Sequence, residues 1–236
     1  MKSFHFNIQA KGGTGKSMLT YLQALKHEKD NTIAFVDLDS ATHTSSQQLK
    51  FIAEKERLFE VDIFDHLKKI ERENLFQILE DLSESGFEKF YVDFGSSESE
   101  QLLRLLSIDF SVEQFKDFER HLDAKFSFNV VISGGAAYTA CFNFLKRAVE
   151  MLNGRFEVNV LPNEFTFHQH KNLIEELALF AKSTKGLIKA VMPFGDIFPE
   201  RQSGSLITEN VKSGKGMDAY NLFISKIIIR REIAKV

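Results

Sequence analysis

Residues 10–17 read AKGGTGKS, and this stretch decides the fold. Gly12, Gly13 and Gly15 carry no Cβ, so the backbone can turn tightly around Thr14 and aim successive N–H groups into one concavity sized for a phosphate. Lys16 brings a positive charge to the β- and γ-phosphates, and the Ser17 hydroxyl is placed to ligate Mg²⁺. Upstream, residues 3–9 (SFHFNIQ) alternate Phe4, Phe6 and Ile8 with His5 and Asn7, which predicts a strand. Downstream, Met18, Leu22 and Leu25 recur at helical spacing, so the loop delivers its ligand to a helix N-terminus, where the dipole favours anions. The strict pattern G-x-x-x-x-G-K-[ST] fails only at its first position, where Ala10 stands. A strand, a glycine loop and a helix around GKS predict nucleotide-phosphate binding.

Outward from the loop, apolar β-rich runs alternate with helical patterns. Strands are predicted at residues 32–37 (TIAFVD), 89–94 (KFYVDF), 128–133 (FNVVIS), 157–161 (EVNVL) and 187–192 (LIKAVM). They lack clean polar alternation, as strands covered on both faces should. One helix is marked by Tyr138, Phe142, Leu145, Val149 and Leu152, another by Leu75, Ile78, Leu79 and Leu82. The charged stretch 50–72 is predicted as a surface helix and 203–216 (SGSLITENVKSGKG) as a loop before a last helix through Tyr220, Phe223, Ile224 and Ile227. The expected fold is α/β, a doubly wound and mainly parallel sheet with helices on both faces, in a single domain over residues 1–236.

Composition narrows the function. Thirty basic and 33 acidic side chains leave a net charge of −3, which argues against a wholly basic nucleic-acid-binding domain but leaves a local patch open. With Cys141 as the one cysteine, a disulfide framework or a multi-cysteine metal centre within the chain is excluded. The chain runs directly into a strand and holds no apolar run of membrane-spanning length, so a cytoplasmic protein is expected. Twenty-four phenylalanines without a tryptophan have no functional reading at this level.

Lys11 narrows the family. The run Lys11-Gly12-Gly13-Thr14-Gly15-Lys16-Ser17 resembles the deviant Walker A box of the ParA/MinD ATPases, in which the first lysine crosses a dimer interface to the partner's nucleotide. A cation supplied from a neighbour would stabilise the charge that phosphoryl transfer spreads over the γ-phosphate oxygens; the alternative is an ordinary surface lysine. Asp37 and Asp39 end the second strand in VDLD, like the family's D-x-D element. The resemblance gives Asp39 the role of approaching the Mg²⁺ shell and the attacking water, with Asp37 in support; the alternative is a helix cap. Family members often carry proline after the second acid, where this chain has Ser40. Asp93, ending YVDF, matches the Walker B aspartate that serves Mg²⁺, and Gly95 could offer its N–H to the γ-phosphate. Asn163 in LPNEF and Pro193 in VMPFGD fall where the family contacts the purine, although each also suits ordinary loop chemistry.

The resemblance implies an ATPase with ATP and Mg²⁺ as cofactors, a homodimer formed on ATP, slow hydrolysis stimulated by a partner protein, and a role in plasmid or chromosome partition or DNA transfer. Non-specific DNA binding would fall to lysines and arginines such as Lys212, Lys215, Arg230 and Arg231. Residues 227–236 (IIIRREIAKV) suit either an amphipathic membrane anchor, as in MinD-like relatives, or a terminal helix with isoleucines packed on the sheet and charges in water. The second is adopted, since Glu232 interrupts the basic face, and membrane binding is not expected. A dethiobiotin-synthetase-like ligase or kinase, in which Lys11 has no task, and a non-hydrolysing adaptor remain as alternatives.

Overall fold

The computed structural model describes residues 1–40, 44–64 and 69–236. Seven strands, β1 (Lys2–Ile8), β2 (Ile33–Leu38), β3 (Leu58–Glu60), β4 (Lys89–Phe94), β5 (Ala124–Ile132), β6 (Glu157–Pro162) and β7 (Ile188–Val191), form one sheet in the order β3-β2-β4-β1-β5-β6-β7. Every neighbouring pair is parallel. Parallel neighbours need crossovers, and helices supply them: α1 (Lys16–Lys26) after β1, α2 (Thr44–Gln48) and α3 (Lys50–Ala53) after β2, α4 (Arg72–Glu84) after β3, and α5 (Ser96–Ile108) and α6 (Val112–His121) after β4. Then come α7 (Tyr138–Leu152) after β5, α8 (Glu164–Phe167) and α9 (Lys171–Ser183) after β6, and α10 (Gln202–Lys212) and α11 (Phe223–Ile233) after β7. The strand order reverses about β1, so the crevice beyond the carboxyl end of β1 is the binding position that this topology favours.

Each face of the sheet has its own core. Phe4, Phe6 and Ile8 join Phe90, Phe126 and Phe128 on the face covered by α4–α7, where Phe4 stacks on Phe90 at 4.6 Å and meets Phe126 edge-on at 5.5 Å. The phenylalanine excess thus has a structural account: offset and edge-on rings fill one sheet face. On the opposite face Asn7 donates to Thr20 Oγ1 (2.9 Å) and Gln23 Oε1 (2.8 Å) of α1, Asn129 donates to Asn7 Oδ1 (3.0 Å), and Asn159 donates to Asn129 Oδ1 (3.1 Å). The alternation in β1 therefore separates an apolar buried face from a hydrogen-bonded buried face. Because a one-residue slip would break this ladder, it fixes the register of β1, β5 and β6 beneath α1.

Three expectations are corrected. Residues 50–72 are not one surface helix: α3 stops at Ala53, Arg57 is buried, and β3 adds an edge strand beside β2. Positions 65–68 of that stretch lie outside the described residues. Residues 203–216 are largely helical, in α10. Gly204 sits inside that helix because a Cβ there would run into the Phe198 carbonyl, so a packing requirement mimicked a loop signal. In α11, Ile229 is buried as expected, but so is Glu232, which was placed in water, while Phe223, Ile224 and Ile227, with Leu222 just before the helix, are exposed.

Candidate nucleotide-binding site

The loop after β1 has the backbone that its glycines allow. Gly13 (φ 73°) and Gly15 (φ 104°) lie in the left-handed region, where a side chain is strained. Gly15 caps α1 with no side chain bonded to the helix's first N–H groups, which leaves them for a ligand. Gly12, Gly13, Thr14, Gly15, Lys16, Ser17, Asp39, Thr44, Gln48, Ser96 and Ser97 surround a cavity of about 460 Å³. Six of the expected site residues from the loop and Asp39 thus share one wall-to-wall space.

Lys16 is buried at its floor, donating to the Gln9 carbonyl (3.0 Å) and Ser96 Oγ (3.3 Å). Burial lowers its pKa, and the carboxylates of Asp93, Asp39 and Glu98 oppose that shift, so the charge is held in place by three acids. Lys11, by contrast, is exposed at the rim, its backbone N–H bonded to Gln9 Oε1 (3.2 Å). The loop's two lysines point to different tasks.

Asp93 and Asp37 are register partners on β4 and β2. Asp93 Oδ2 accepts the hydroxyls of Ser17 (3.1 Å) and Ser45, while Oδ1 is buried with no partner among the described residues. Burial pushes its pKa up to about 7 against the pull of Lys16 and the two hydroxyls. A buried, half-satisfied carboxylate beside the P-loop serine is suited to a hard divalent cation, which would supply the missing charge. Thr14 Oγ1 is likewise buried and unpartnered. These residues fit Mg²⁺ with a nucleotide phosphate.

Asp37 has another task. It is fully buried and accepts the Asp39 N–H (3.0 Å), the Ser46 N–H (2.7 Å) and the Ser46 hydroxyl (2.8 Å), so it ties the Asp39 segment to α2. Burial raises its pKa, and these hydrogen bonds oppose the shift. Asp39 lies close to Gly95: a Cβ on Gly95 would come within 2.9 Å of Asp39 Oδ1 and would overlap the Glu98 carboxylate. The start of α5 is stapled to the P-loop through Ser96, bonded to Lys16, and Ser99, whose Oγ accepts the Gln9 N–H at 3.1 Å.

Asn163, just after β6, lies beside the loop, Pro193 follows β7, and neither lines the cavity. Asn163 Nδ2 donates to the Thr14 carbonyl (3.0 Å), and a Cβ on Gly15 would approach it to 2.6 Å. The asparagine thus props the loop. Behind it, the buried Glu232 carboxylate of α11 accepts the N–H groups of Gly195 (2.8 Å) and Asp196 (3.2 Å), and Gly195 packs against Asn163 Oδ1. Sequence reasoning missed Gln9, Ser45, Ser46, Ser96, Glu98, Ser99 and this use of Glu232. Each is a serine, glutamine or glutamate whose local signal is that of a helix start or a polar surface.

No protein-family model and no curated protein matches the chain. Solved structures do match. A ParA family ATPase from Chlorobium tepidum TLS superposes with a TM-score of 0.51 at 15% identity, over 100% of both chains. A chain of the MinC:MinD cell division protein complex from Aquifex aeolicus gives 0.53 at 12% identity, over 99% of this chain and 95% of that one. A plasmid partition protein from Borrelia burgdorferi gives 0.51 at 14% identity, over 89% and 96%. With the all-parallel sheet and the glycine loop at its centre, the chain has the ParA/MinD-like P-loop fold.

Proposed function

We propose that the chain is a cytoplasmic ParA/MinD-like ATPase that dimerises on ATP and Mg²⁺ and carries a cargo in partition or DNA transfer. The observation that carries this reading is the split of the two loop lysines, Lys16 buried at the cavity floor and Lys11 exposed at its rim. Lys16 and the loop N–H groups would hold the phosphates, Ser17 and Asp93 the metal, and Asp39 would orient the attacking water. Bound Mg²⁺ would neutralise charge on the β- and γ-phosphates. Asn163, beside Gly15, and Pro193 would flank the base. Lys11 would reach a second protomer's nucleotide in a two-fold assembly, with hydrolysis stimulated by a partner protein. For non-specific DNA contact, Lys212, Lys215 and Arg230 are exposed, whereas Arg231 is engaged by Asp196 and Glu232.

Light scattering with and without ATP–Mg²⁺ tests this. The parent is expected to double its mass with ATP, Lys16→Ala to lose nucleotide binding, and Lys11→Ala to bind nucleotide yet stay monomeric. Nucleotide binding without any change in mass would remove the dimer switch and favour the ligase or adaptor alternatives.

One observation supports a second reading. Leu222, Phe223, Ile224 and Ile227 are exposed on and just before α11, beside the exposed Lys226 and Arg230. No helix among the described residues is long and apolar enough to cross a membrane, but this face would suit an anionic lipid surface. Co-sedimentation with anionic liposomes that is lost in Phe223→Glu is the expected result under that reading; no co-sedimentation of the parent removes it.

A further inference from the structure

The Glu98 side chain is fully buried in the first turn of α5, and beyond its field on Lys16, which Asp93 and Asp39 share, its hydrogen bonds have no task so far. Its Oε1 accepts the backbone N–H of Ser40 at 3.2 Å, and its Oε2 accepts the Ser97 hydroxyl at 2.9 Å. The Ser40 N–H also approaches the Leu38 carbonyl at 3.2 Å. Glu98 thus spans from the segment after β4 to the residue directly following Asp39. The space it occupies exists because residue 95 is glycine: a Cβ there would collide with Glu98 and crowd Asp39. A buried carboxylate is costly unless its oxygens are hydrogen-bonded, so the bond to Ser40 holds both partners in one arrangement.

The identity of residue 40 matters. A proline at this position would have no N–H to give, and Glu98 would lose its link to the Asp39 segment. Ser40 and Glu98 therefore form a matched pair, one supplying the donor and the other the buried acceptor. Other anchors of the two segments are separate, among them the bond from the Ser40 hydroxyl to Asp62 Oδ1 at 2.8 Å. Asp37 holds Asp39 and Ser46 from the strand side, and Ser96 and Ser99 hold α5 to the P-loop. Among the described residues, Glu98 ties α5 to the backbone beside Asp39 by a hydrogen bond.

We propose that Glu98 is a positioning residue that couples the segment carrying Asp39 to the Gly95–Ser97 turn, so that both reach the γ-phosphate end of the cavity as one unit. The proposal rests on the ATPase reading of the site. It predicts that Glu98 governs turnover and the distinction between ATP and ADP, while ADP itself, which lacks the γ-phosphate, is held by the P-loop without its help.

The test compares the full-length parent with Glu98→Ala and Glu98→Gln. Steady-state ATP hydrolysis, titrations with ATP and ADP, and hydrogen exchange in peptides carrying Ser40 and the P-loop are measured together. Glu98→Ala is expected to lower kcat by roughly 10- to 100-fold and to reduce the preference for ATP over ADP. ADP affinity should stay within about twofold, and the Ser40 peptide alone should exchange faster. Glu98→Gln keeps a carbonyl oxygen for the Ser40 N–H and should recover most of kcat and of the protection. A role confined to helix stability would lower kcat and ADP affinity together, or leave both unchanged, and either result overturns the proposal. If the parent hydrolyses no ATP, the ATPase reading fails on its own. The exchange measurement still decides the coupling, because unchanged exchange at Ser40 in Glu98→Ala overturns it. Should Glu98→Ala fail to fold, Ser40→Pro, which removes the donor and leaves the carboxylate, replaces it in every arm.

Discussion

Asp93→Asn is expected to stabilise the nucleotide-free protein at pH 8 while weakening its response to Mg²⁺. The carboxyl is buried, and its pKa is pushed up to about 7. Between about pH 4 and 7 the folded protein keeps a proton that the unfolded chain has released, so folding stability falls as pH rises through this window. Above pH 7 the folded state carries the whole cost of a desolvated charge, at most about 4 kcal/mol. Asparagine carries no such charge. Thermal unfolding should therefore show a gain of several degrees for Asp93→Asn at pH 8 and little difference at pH 4, where both side chains are neutral. Calorimetric titration should show the opposite ranking for ligand, with Mg²⁺-dependent ATP affinity reduced by roughly 10- to 100-fold. A variant less stable than the parent at both pH values would mean that Asp93 is a structural group and not a metal-binding one.

Arg57→Ala is expected to produce the largest stability loss. Arg57 is 2% exposed, and its guanidinium donates to the carbonyls of His27 (3.1 Å), Glu28 (2.8 Å), Asp30 and Ile33 (3.1 Å). These are the carbonyls at and beyond the end of α1, where a helix leaves acceptors unsatisfied and favours a cation. His27, Glu28 and Asp30 keep second donors in the Asp30 N–H, Lys55 Nζ and the Ile33 N–H, but removing the guanidinium takes a charged donor from all four and empties a buried position, which predicts a loss of about 3–5 kcal/mol in urea denaturation. Arg57→Lys should recover only part of it, since one ammonium cannot span the planar set of acceptors. A loss below about 1 kcal/mol would show that water reaches these carbonyls.

Arg57 also shows where reading the sequence stops. In a stretch rich in lysine and glutamate, a buried arginine has the same letter as a solvated one, and only tertiary contact separates them. The three-residue β3 is an edge strand too short for periodicity to register. By contrast, the P-loop was legible because glycine, lysine and serine at that spacing have a chemical reason. Asp39 and Asp93 were legible because a strand ending in an acid places it at the crevice. Asn163 was found for its position, but its amide is bonded to Thr14. Glu98 left no mark, because a glutamate in the first turn of a helix is favourable for the dipole alone.

The hold of Glu232 on Gly195, and through Asn163 on Thr14, ties α11 to the phosphate loop at one site. A ribosome makes the phosphate loop first, and the carboxylate that braces its surroundings follows more than two hundred residues later, after roughly ten to forty seconds of synthesis. During that interval the loop exists as sequence without its support. Nucleotide binding should thus wait for the synthesis of α11 rather than for the emergence of the glycine loop.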